Sequence, residues 1–269
     1  MVEYQHLPTV LTINHLDPTG GSGIQADTET LAALGCHGMA IVTKLNVQDT
    51  VGPKMDSVTD TTLLIAQIRA LLEDVEVAAI KLGSLGNSSN VEAIHTILND
   101  YPNIPVVFDP SMRGFAAMND NDGLIDSLFE LVLPLSNLVM ANRREIQELA
   151  PAGDTLQAQA SQLIDQGCQV LMVSGGQQRT NPIINRLFLE NGQCRELSWQ
   201  RQGSAFHGVG CTLSAAATAF IAHGASIQEA VEQAQHFVQK TLIEPFAPGM
   251  GQLNAGDGAL GPDKSGNAL

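Results

Sequence analysis

Two glycine-rich loops carry the residue types with which a protein could hold and transfer a phosphate group. The first runs from Asp17 to Gly23 and reads Asp-Pro-Thr-Gly-Gly-Ser-Gly. It stands between an apolar run and a segment of helical period. Its glycines let the backbone approach a ligand closely, and the first amides of the helix favour a polar or anionic guest. A plain tight turn has the same composition, so this loop by itself leaves both interpretations open.

The second loop, His207–Thr212, reads His-Gly-Val-Gly-Cys-Thr and leads into the small-residue segment Leu213–Phe220. The amides of Gly208 and Gly210, with those of the first helical turn, could form an anion hole for a transferring phosphoryl group. Cys211 would lie at the helix N-terminus, where the pKa of a thiol falls and its thiolate character rises. The alternative is a small buried cysteine that opens a core helix, the commoner fate of this residue.

The elements that position these loops alternate between apolar runs and helical segments. This alternation is typical of a mostly parallel sheet covered by helices on both faces. Asn191-Gly192 then predicts the turn of a β-hairpin, and two helices follow, from near Cys211 and Ile227. We expect one domain over residues 1–269, with loops from about residue 246 onward. The predicted strands before the hairpin are Val10–Ile13, Met39–Val42, Val77–Lys81, Pro105–Phe108, Leu138–Met140 and Gln169–Val173.

The composition restricts the partners of the protein. The 269 residues carry 13 Lys and Arg against 28 Asp and Glu, a formal net charge of −15. This charge argues against a nucleic-acid partner, because a phosphate backbone needs a basic surface. An acidic protein that handles phosphates must therefore bind them locally, by backbone amides, a metal ion and a few placed cations.

The sequence also predicts where in the cell the protein is found. No apolar run reaches the roughly 18 residues of a membrane helix, and the first residues do not resemble a signal peptide. We therefore expect no membrane partner and a cytoplasmic location. The four cysteines are widely separated and form no CxxC pair, which favours free thiols over zinc or disulfides.

An ordered series of blocks resembles the hydroxymethylpyrimidine/phosphomethylpyrimidine kinase family of the ribokinase-like superfamily. Thr19–Asp27 resembles the family's SGGAGIQAD motif, and His207–Ala216 nearly reproduces HGTGCTLSAA. The blocks lie in order and extend over about residues 10–224. Between the two motifs, the matching blocks are Ala33–Gly38, Val47–Thr50, Lys81–Gly83, Asp109-Pro110, and Asn142 with Glu145.

This resemblance implies a fold and an activity. The implied fold is the ribokinase-like three-layer α/β fold, in which a mostly parallel central sheet has helices on both faces. The implied activity is ATP-dependent phosphorylation of 4-amino-5-hydroxymethyl-2-methylpyrimidine, and of its monophosphate, in thiamine biosynthesis or salvage. Mg²⁺ would accompany ATP, and relatives suggest a homodimer.

The resemblance also assigns a catalytic role to the second loop. Cys211 would be the base that takes the proton from the substrate hydroxymethyl group. The amides of Gly208, Val209, Gly210 and Cys211 would form the anion hole. This division of labour suits phosphoryl transfer, which depends mostly on positioning and charge stabilisation.

Further residues would bind the two substrates. The Ser22 amide and the Asp27 and Gln48 side chains would contact the aminopyrimidine, to which Gln48 offers both a donor and an acceptor. Their alternatives are an exposed helical carboxylate for Asp27 and a solvated amide for Gln48. The nucleotide and Mg²⁺ would be surrounded by Asp109, Asn142 and Glu145. That glutamate would hold the metal directly or through water, whereas an ordinary helix cap explains the last two residues equally well.

The chain departs from the family pattern at several positions. The methionine after KxG is Ser84, the threonine of HGTGC is Val209, and Ser174 and Gln177 replace the lysine and histidine of a KGGH block. Two alternatives therefore stay open. One is a kinase of the same fold for another heteroaromatic alcohol, such as pyridoxal or pyridoxine, because Ser84 opens the ring pocket. The other is a non-catalytic homologue that binds a pyrimidine or a nucleotide.

Overall fold

The computed structural model of the protein describes residues 7–111, 123–176, 180–201, 206–243 and 248–254. Strands and helices alternate along most of this length. The strands are β1 Thr9–Leu16, β2 His37–Gln48, β3 Pro53–Val58, β4 Ala79–Leu82, β5 Val106–Phe108, β6 Leu138–Asn142, β7 Val170–Ser174, β8 Ile183–Leu189, β9 Cys194–Trp199, β10 Phe206–His207 and β11 Leu253–Asn254. The α-helices are α1 Gly23–Ala33, α2 Thr61–Asp74, α3 Ser88–Asp100, α4 Leu124–Ser127, α5 Arg143–Leu149, α6 Leu156–Asp165, α7 Val209–Ala222 and α8 Ile227–Thr241.

A nine-stranded sheet forms the centre of the protein, in the order β3-β2-β1-β4-β5-β6-β7-β8-β9. From β2 through β7 every pair of neighbouring strands is parallel. The two edges are antiparallel, with β3 on one side and β8 and β9 on the other. The carboxyl ends of the parallel strands therefore open on one common edge, where open α/β sheets bind their ligands.

Two apolar layers cover the sheet. Because successive side chains of a strand point to opposite faces, Val106 and Phe108 of β5 join one core and Val107 joins the other. The first core contains side chains of α2, α3, α5 and α6, and the second contains side chains of α7 and α8. This arrangement confirms the predicted fold, a mostly parallel sheet with helices on both faces.

Helix α7 is the most deeply buried helix near the site. Every residue from Cys211 to Ala219 is buried, and the run of alanines permits this close packing because alanine adds no bulk beyond Cβ. The helix packs against α1, α8 and β4. In the described part of the chain, no helix is long and apolar enough to span a bilayer.

The secondary structure predicted from the sequence is confirmed for the β8–β9 hairpin and is incomplete for β2 and for the C-terminal tail. β8 and β9 pair antiparallel around the predicted Asn191-Gly192 turn. β2 continues past Val42 to Gln48 and pairs with β3, which was not predicted. This half of β2 alternates polar and apolar residues, so it lacks the apolar run of a buried strand. The tail was predicted as loop, yet Leu253–Asn254 forms β11, which pairs in parallel with β10.

Candidate active site

The two glycine loops meet at the carboxyl edge of the sheet. Gly208 has a left-handed φ of 77°, and a Cβ there would lie 1.6 Å from the backbone oxygen of Gly21. A Cβ on Gly21 would lie 2.4 Å from Cδ2 of His207. Glycine is therefore required for the backbones to approach this closely. Two motifs that are far apart in the sequence form one continuous surface.

The N-terminus of α7 opens onto this surface. Gly208 is the residue before the helix, and the bond from the Thr212 N–H to the Gly208 oxygen, at 2.9 Å, closes the first helical turn. The amides of Gly208, Val209, Gly210 and Cys211 precede that bond, so none of them has an i−4 carbonyl partner within the helix. With the positive end of the helix dipole, they form a site suited to an anion such as a phosphate.

Cys211 is the third residue of α7 and only 5% exposed. Burial raises the pKa of its thiol to about 12, although the nearby Lys81 ammonium and the Gly23 N–H lower it. The expected fall of the thiol pKa at the helix N-terminus is therefore wrong, since the net shift is upward. Desolvation outweighs the helix and the cation, because a thiolate is costly in an apolar surrounding.

A buried ion pair lies beneath the site. Lys81 on β4 donates to the Asp27 carboxylate of α1 at 2.6 Å, and both side chains are fully buried. Thr12 and Asn14 of β1 donate to the other carboxylate oxygen at 2.6 and 3.0 Å. Burial lowers the pKa of Lys81, but the Asp27 charge, the neighbouring Cys211 and Asp109, and the hydrogen bond to Asp27 together outweigh it, so the net shift is upward. Lys81 therefore stays charged beside Cys211 and Asp109.

This pair revises the expectation for Asp27. A direct contact with a substrate is not what the structure shows, because both carboxylate oxygens are occupied and the side chain is fully buried. The alternative of an exposed helical carboxylate is also wrong. Sequence reasoning gave Lys81 no role, although a lysine at the end of an apolar strand signals a buried partner, since such a charge needs one.

Asp17 ties the first loop to the second. Its carboxylate accepts bonds from Ser22 Oγ at 2.7 Å and from the amide and hydroxyl of Thr19, and it lies 2.7 Å from Nε2 of His207. Burial raises the pKa of Asp17, but these hydrogen bonds together hold it well below its usual range. Asp17 is therefore a carboxylate that fixes the relative position of both loops. Neither Asp17 nor His207 was among the predicted site residues.

Gln48 reaches the same cluster from β2. Its amide nitrogen lies 3.2 Å from Nε2 of His207, and its oxygen accepts from Asn46 at 3.3 Å. Ser22, the residue before α1, lies 3.3 Å from Nε2 of the buried His15. The structure thus brings Ser22, Gln48 and the second loop together.

Farther along the carboxyl edge, Asp109 follows β5, Asn142 ends β6 and Glu145 lies in the first turn of α5. Asp109 is 7% exposed and accepts from Ser214 Oγ of α7 at 2.9 Å. Asn142 accepts from the Arg144 and Glu145 amides, and the Glu145 carboxylate accepts from the Asn142 amide at 2.8 Å. This is a capping box that begins α5. The interpretation of Asn142 and Glu145 as an ordinary helix cap is therefore confirmed.

The residues present fit a magnesium ion held mainly by phosphate oxygens. Within the described ranges, no group of three His, Cys, Asp or Glu side chains could by itself hold a metal. Kinase sites commonly hold Mg²⁺ through one or two carboxylates together with substrate phosphates. The sequence assigned that role to Asp109, which follows β5, and Glu145, which lies in the first turn of α5.

Positions that differ from the family pattern lie around the same edge. Ser84 follows β4, and its amide donates to Asn14 Oδ1 at 2.9 Å. Val209 is the first residue of α7, and Ser174 ends β7 opposite Asn142. Gln177 lies outside the described residues. The departures with described positions therefore fall on the site and on its nucleotide side.

Together, the fold and the paired glycine loops define a ribokinase-like small-molecule kinase. The structure of Bacillus subtilis pyridoxal kinase in complex with ADP superposes with a TM-score of 0.86, at 25% identity, over 95% of this chain and 99% of that one. Phosphomethylpyrimidine kinase from Clostridium difficile superposes with a TM-score of 0.72, at 25% identity, over 86% of this chain and 99% of that one.

Sequence comparison then gives the family. The phosphomethylpyrimidine kinase family model matches residues 17–255. The hydroxymethylpyrimidine/phosphomethylpyrimidine kinase of Bacillus subtilis is 32% identical over 90% of this chain and 91% of its own length. The chain also spans 52% of the thiamine biosynthesis bifunctional protein ThiED of Geobacter sulfurreducens, at 30% identity, and 32% of a multifunctional ThiED of Corynebacterium glutamicum, at 34%. The chain belongs to the phosphomethylpyrimidine kinase family.

Proposed function

We propose that this protein transfers the γ-phosphoryl group of ATP to the hydroxymethyl group of 4-amino-5-hydroxymethyl-2-methylpyrimidine. Phosphorylation of the resulting monophosphate would be a second reaction at the same site. Both reactions belong to thiamine biosynthesis or salvage. The observation that carries the proposal is the contact between the two glycine loops, which places the amides of α7 beside the residues expected to bind the ring.

Each loop has a distinct task in the transfer. The substrate oxygen attacks the γ-phosphorus, an O–P bond forms, and the bond to the β-phosphate oxygen breaks to release ADP. Negative charge on the phosphoryl oxygens is stabilised by the amides of Gly208, Val209, Gly210 and Cys211. Asp109 and Glu145 would hold a Mg²⁺ ion that accompanies ATP, directly or through its waters, and the ion would neutralise charge on the phosphates.

Cys211 takes the proton of the attacking hydroxyl group. Burial raises the pKa of this thiol to about 12, so the thiol must first release its own proton to solvent. The Lys81 ammonium favours the thiolate that remains.

An ADP-release assay with the purified protein tests the proposal. We expect ADP only when Mg²⁺, ATP and the pyrimidine alcohol are all present. Cys211→Ala should lower the rate by about 10²–10⁴-fold, the usual contribution of a general base. It should leave the KM values for both substrates nearly unchanged, because the amides of α7 remain.

Two results would contradict the proposal. Equal ADP release with and without the alcohol would remove the kinase activity itself. A folded Cys211→Ala variant with wild-type turnover would remove cysteine as the base and leave the anion hole in place.

Pyridoxal or pyridoxine is the second candidate substrate. It is favoured by the TM-score of 0.86 to a pyridoxal kinase and by Ser84, which is smaller than the family methionine. Comparing the alcohol, its monophosphate and pyridoxal in the same assay separates the two substrates. A non-catalytic protein would bind one of these rings and release no ADP with any of them.

We propose a homodimer that forms through the hairpin of β2 and β3. Leu45, Val47 and Met55 are 51%, 49% and 65% exposed. Val47 and Met55 are register partners, and Leu45 lies two residues before Val47 on the same face. Contiguous apolar surface of this kind is a common feature of protein interfaces.

The cytoplasmic location stays a prediction.

A further inference from the structure

The C-terminal end of the described chain lies against the candidate site. Residues 248–254 begin beside the turn between β2 and β3 and end in β11, which pairs in parallel with β10. In this pairing Asn254 is the register partner of His207. The segment therefore contacts both the hairpin that carries Gln48 and the loop that leads into α7.

Thr50, in the turn between β2 and β3, accepts two hydrogen bonds from this segment. The Gly251 N–H donates to Thr50 Oγ1 at 3.0 Å, and the Gln252 N–H donates to the Thr50 carbonyl oxygen at 3.0 Å. A Cβ on Gly251 would lie 1.8 Å from that carbonyl oxygen, so glycine is required for the two backbones to come this close. Because Thr50 is two residues after Gln48, the segment holds the end of β2.

The turn that contains Thr50 has its own internal hydrogen bonds. Asp49 Oδ1 accepts from the amides of Val51 and Gly52 at 2.9 and 3.1 Å. The Asp49 amide donates to the Gly52 carbonyl oxygen at 3.3 Å. An aspartate that bonds the backbone two residues ahead stabilises a turn in one conformation. A displacement of Thr50 should therefore displace Gln48 with it.

The other end of the segment lies against both glycine loops. Asn254 is 5% exposed, and its Oδ1 lies 2.7 Å from the position that a Cβ on Gly21 would take. Its backbone pairs with His207, whose Nε2 lies 3.2 Å from the amide nitrogen of Gln48. One short segment is thus attached on both sides of the contact between Gln48 and His207.

We propose that residues 248–254 form a C-terminal clamp that positions Gln48 for binding of the substrate ring, with Thr50 as the positioning residue on which the clamp acts. This inference rests on the proposed phosphorylation of a pyrimidine alcohol at this site. The clamp lies outside the apolar clusters that form the core, and its strand has only two residues. Its loss should therefore affect the site more than the stability of the fold.

The test compares Thr50→Val with Thr50→Ser and with Thr96→Val. Valine has the shape of threonine but no oxygen to accept the Gly251 N–H, whereas serine keeps that oxygen. Thr96 is a matched control, because it also uses its hydroxyl, toward the Glu92 carbonyl oxygen at 3.0 Å, but lies on α3.

Three quantities are measured on the full chain. ADP release gives kcat and the KM values for the pyrimidine alcohol and for ATP. Hydrogen exchange of the amides in residues 248–254 is followed with and without the alcohol. A thermal scan without ligand shows whether each variant is folded.

We expect Thr50→Val to raise the KM for the alcohol by about 3- to 10-fold, the usual effect of one lost hydrogen bond. The KM for ATP, kcat and the unfolding temperature should stay near the wild-type values, because Cys211 and the α7 amides do not depend on Thr50. Thr50→Ser and Thr96→Val should match the wild type in all of these quantities.

Hydrogen exchange tests the link between the clamp and the ring. If Gln48 connects them, coupling is reciprocal and the bound alcohol must stabilise the clamp. The alcohol should therefore slow amide exchange in residues 248–254 of the wild type, and slow it less in Thr50→Val.

The two proposals fail in different ways. A wild-type protein that neither binds nor phosphorylates the alcohol would overturn the proposed function and this inference with it. If the wild type phosphorylates the alcohol and Thr50→Val keeps the wild-type KM, only the clamp is overturned. An equal rise of the KM in Thr50→Ser would also overturn the clamp, as would clamp amides whose exchange does not respond to the alcohol.

Discussion

Single side chains set the charge state of the site. Asp27 and Lys81 form a charged pair, whereas His15 and Cys211 are held in their neutral forms by burial. His15 is 7% exposed, and burial, followed by the nearby Lys44 charge, lowers the pKa of its imidazole to about 4. Charged and neutral groups thus lie side by side, and their balance changes with pH.

The pKa of His15 predicts a loss of stability in mild acid. In the unfolded chain an imidazole takes up a proton near pH 6.5, but in the folded protein His15 does so only near pH 4. The unfolded state therefore binds more protons between these values, and stability falls as pH drops. We expect the wild type to lose about 2 kcal/mol more than His15→Gln between pH 7.5 and 5.

Urea unfolding at the two pH values measures this difference. His236→Gln, which changes an exposed histidine, should lose as much stability as the wild type. If the wild type and His15→Gln lose the same free energy of unfolding, the imidazole takes up its proton at the same pH in the folded and unfolded protein, and the prediction is wrong.

At the scale of elements, the N-terminus of α7 and the loop before α1 act as one unit. Gly208 lies against Gly21, so a side chain there meets backbone. Gly210, the second residue of α7, has no atom within 4 Å of the position a Cβ would take, apart from the backbone of its own helical turn. Substitutions of these two glycines therefore separate the structural role of the loop from its proposed role in binding phosphate.

The pair predicts opposite outcomes for two alanine substitutions. Gly208→Ala should lower the free energy of unfolding by about 2 kcal/mol or more, from the left-handed φ and the contact with Gly21. Gly210→Ala should fold as stably as the wild type or better, since alanine favours a helix by up to about 1 kcal/mol. Its methyl group would occupy the phosphoryl position, so turnover should fall sharply.

Chemical denaturation and the ADP-release assay together check these outcomes. Wild-type turnover in Gly210→Ala would contradict a phosphoryl position next to the N-terminus of α7. Unchanged stability in Gly208→Ala would mean that the two loops separate in solution.

For the whole molecule, the hairpin of β2 and β3 joins the site to the outer surface. Beyond its pairing with β1, β2 extends to Gln48 with β3 as its partner. Along this stretch alternate side chains point toward the site and toward solvent. The exposed face carries Leu45 and Val47, while Asn46 and Gln48 lie on the opposite face. An interface on the hairpin would therefore also steady Gln48.

This geometry predicts a linked loss of assembly and substrate binding. Val47→Asp places a charge in the apolar face, where an interface would bury it unpaired. In analytical ultracentrifugation we expect the wild type as a dimer and the variant as a monomer. The KM for the alcohol should rise in the variant, with the KM for ATP little changed.

Lys54→Glu is a suitable control, because this exposed residue lies on the same hairpin outside the apolar face. It should leave the dimer intact. A wild-type protein that sediments as a monomer at all concentrations would rule out this assembly.

The sequence by itself determined the architecture and the family. Alternating strand and helix patterns fix a mostly parallel sheet, because burial of a strand or a helix face leaves a local periodicity. The glycine loops were also readable, since close backbone approach demands glycine whatever the surrounding packing. Ser22, Gln48 and the α7 amides were assigned to one site by the family resemblance of their sequence blocks, before the fold was known.

Only the tertiary structure decided the state of the side chains beneath those loops. Cys211 keeps its proton and Asp27 is closed off by Lys81, a partner 54 residues away. Ser84 Oγ is unpaired and Leu253–Asn254 returns as a strand beside the second loop. Each of these outcomes depends on burial depth and on contacts between distant segments. Local sequence does not encode either, because desolvation and hydrogen-bond pairing are properties of the packed chain.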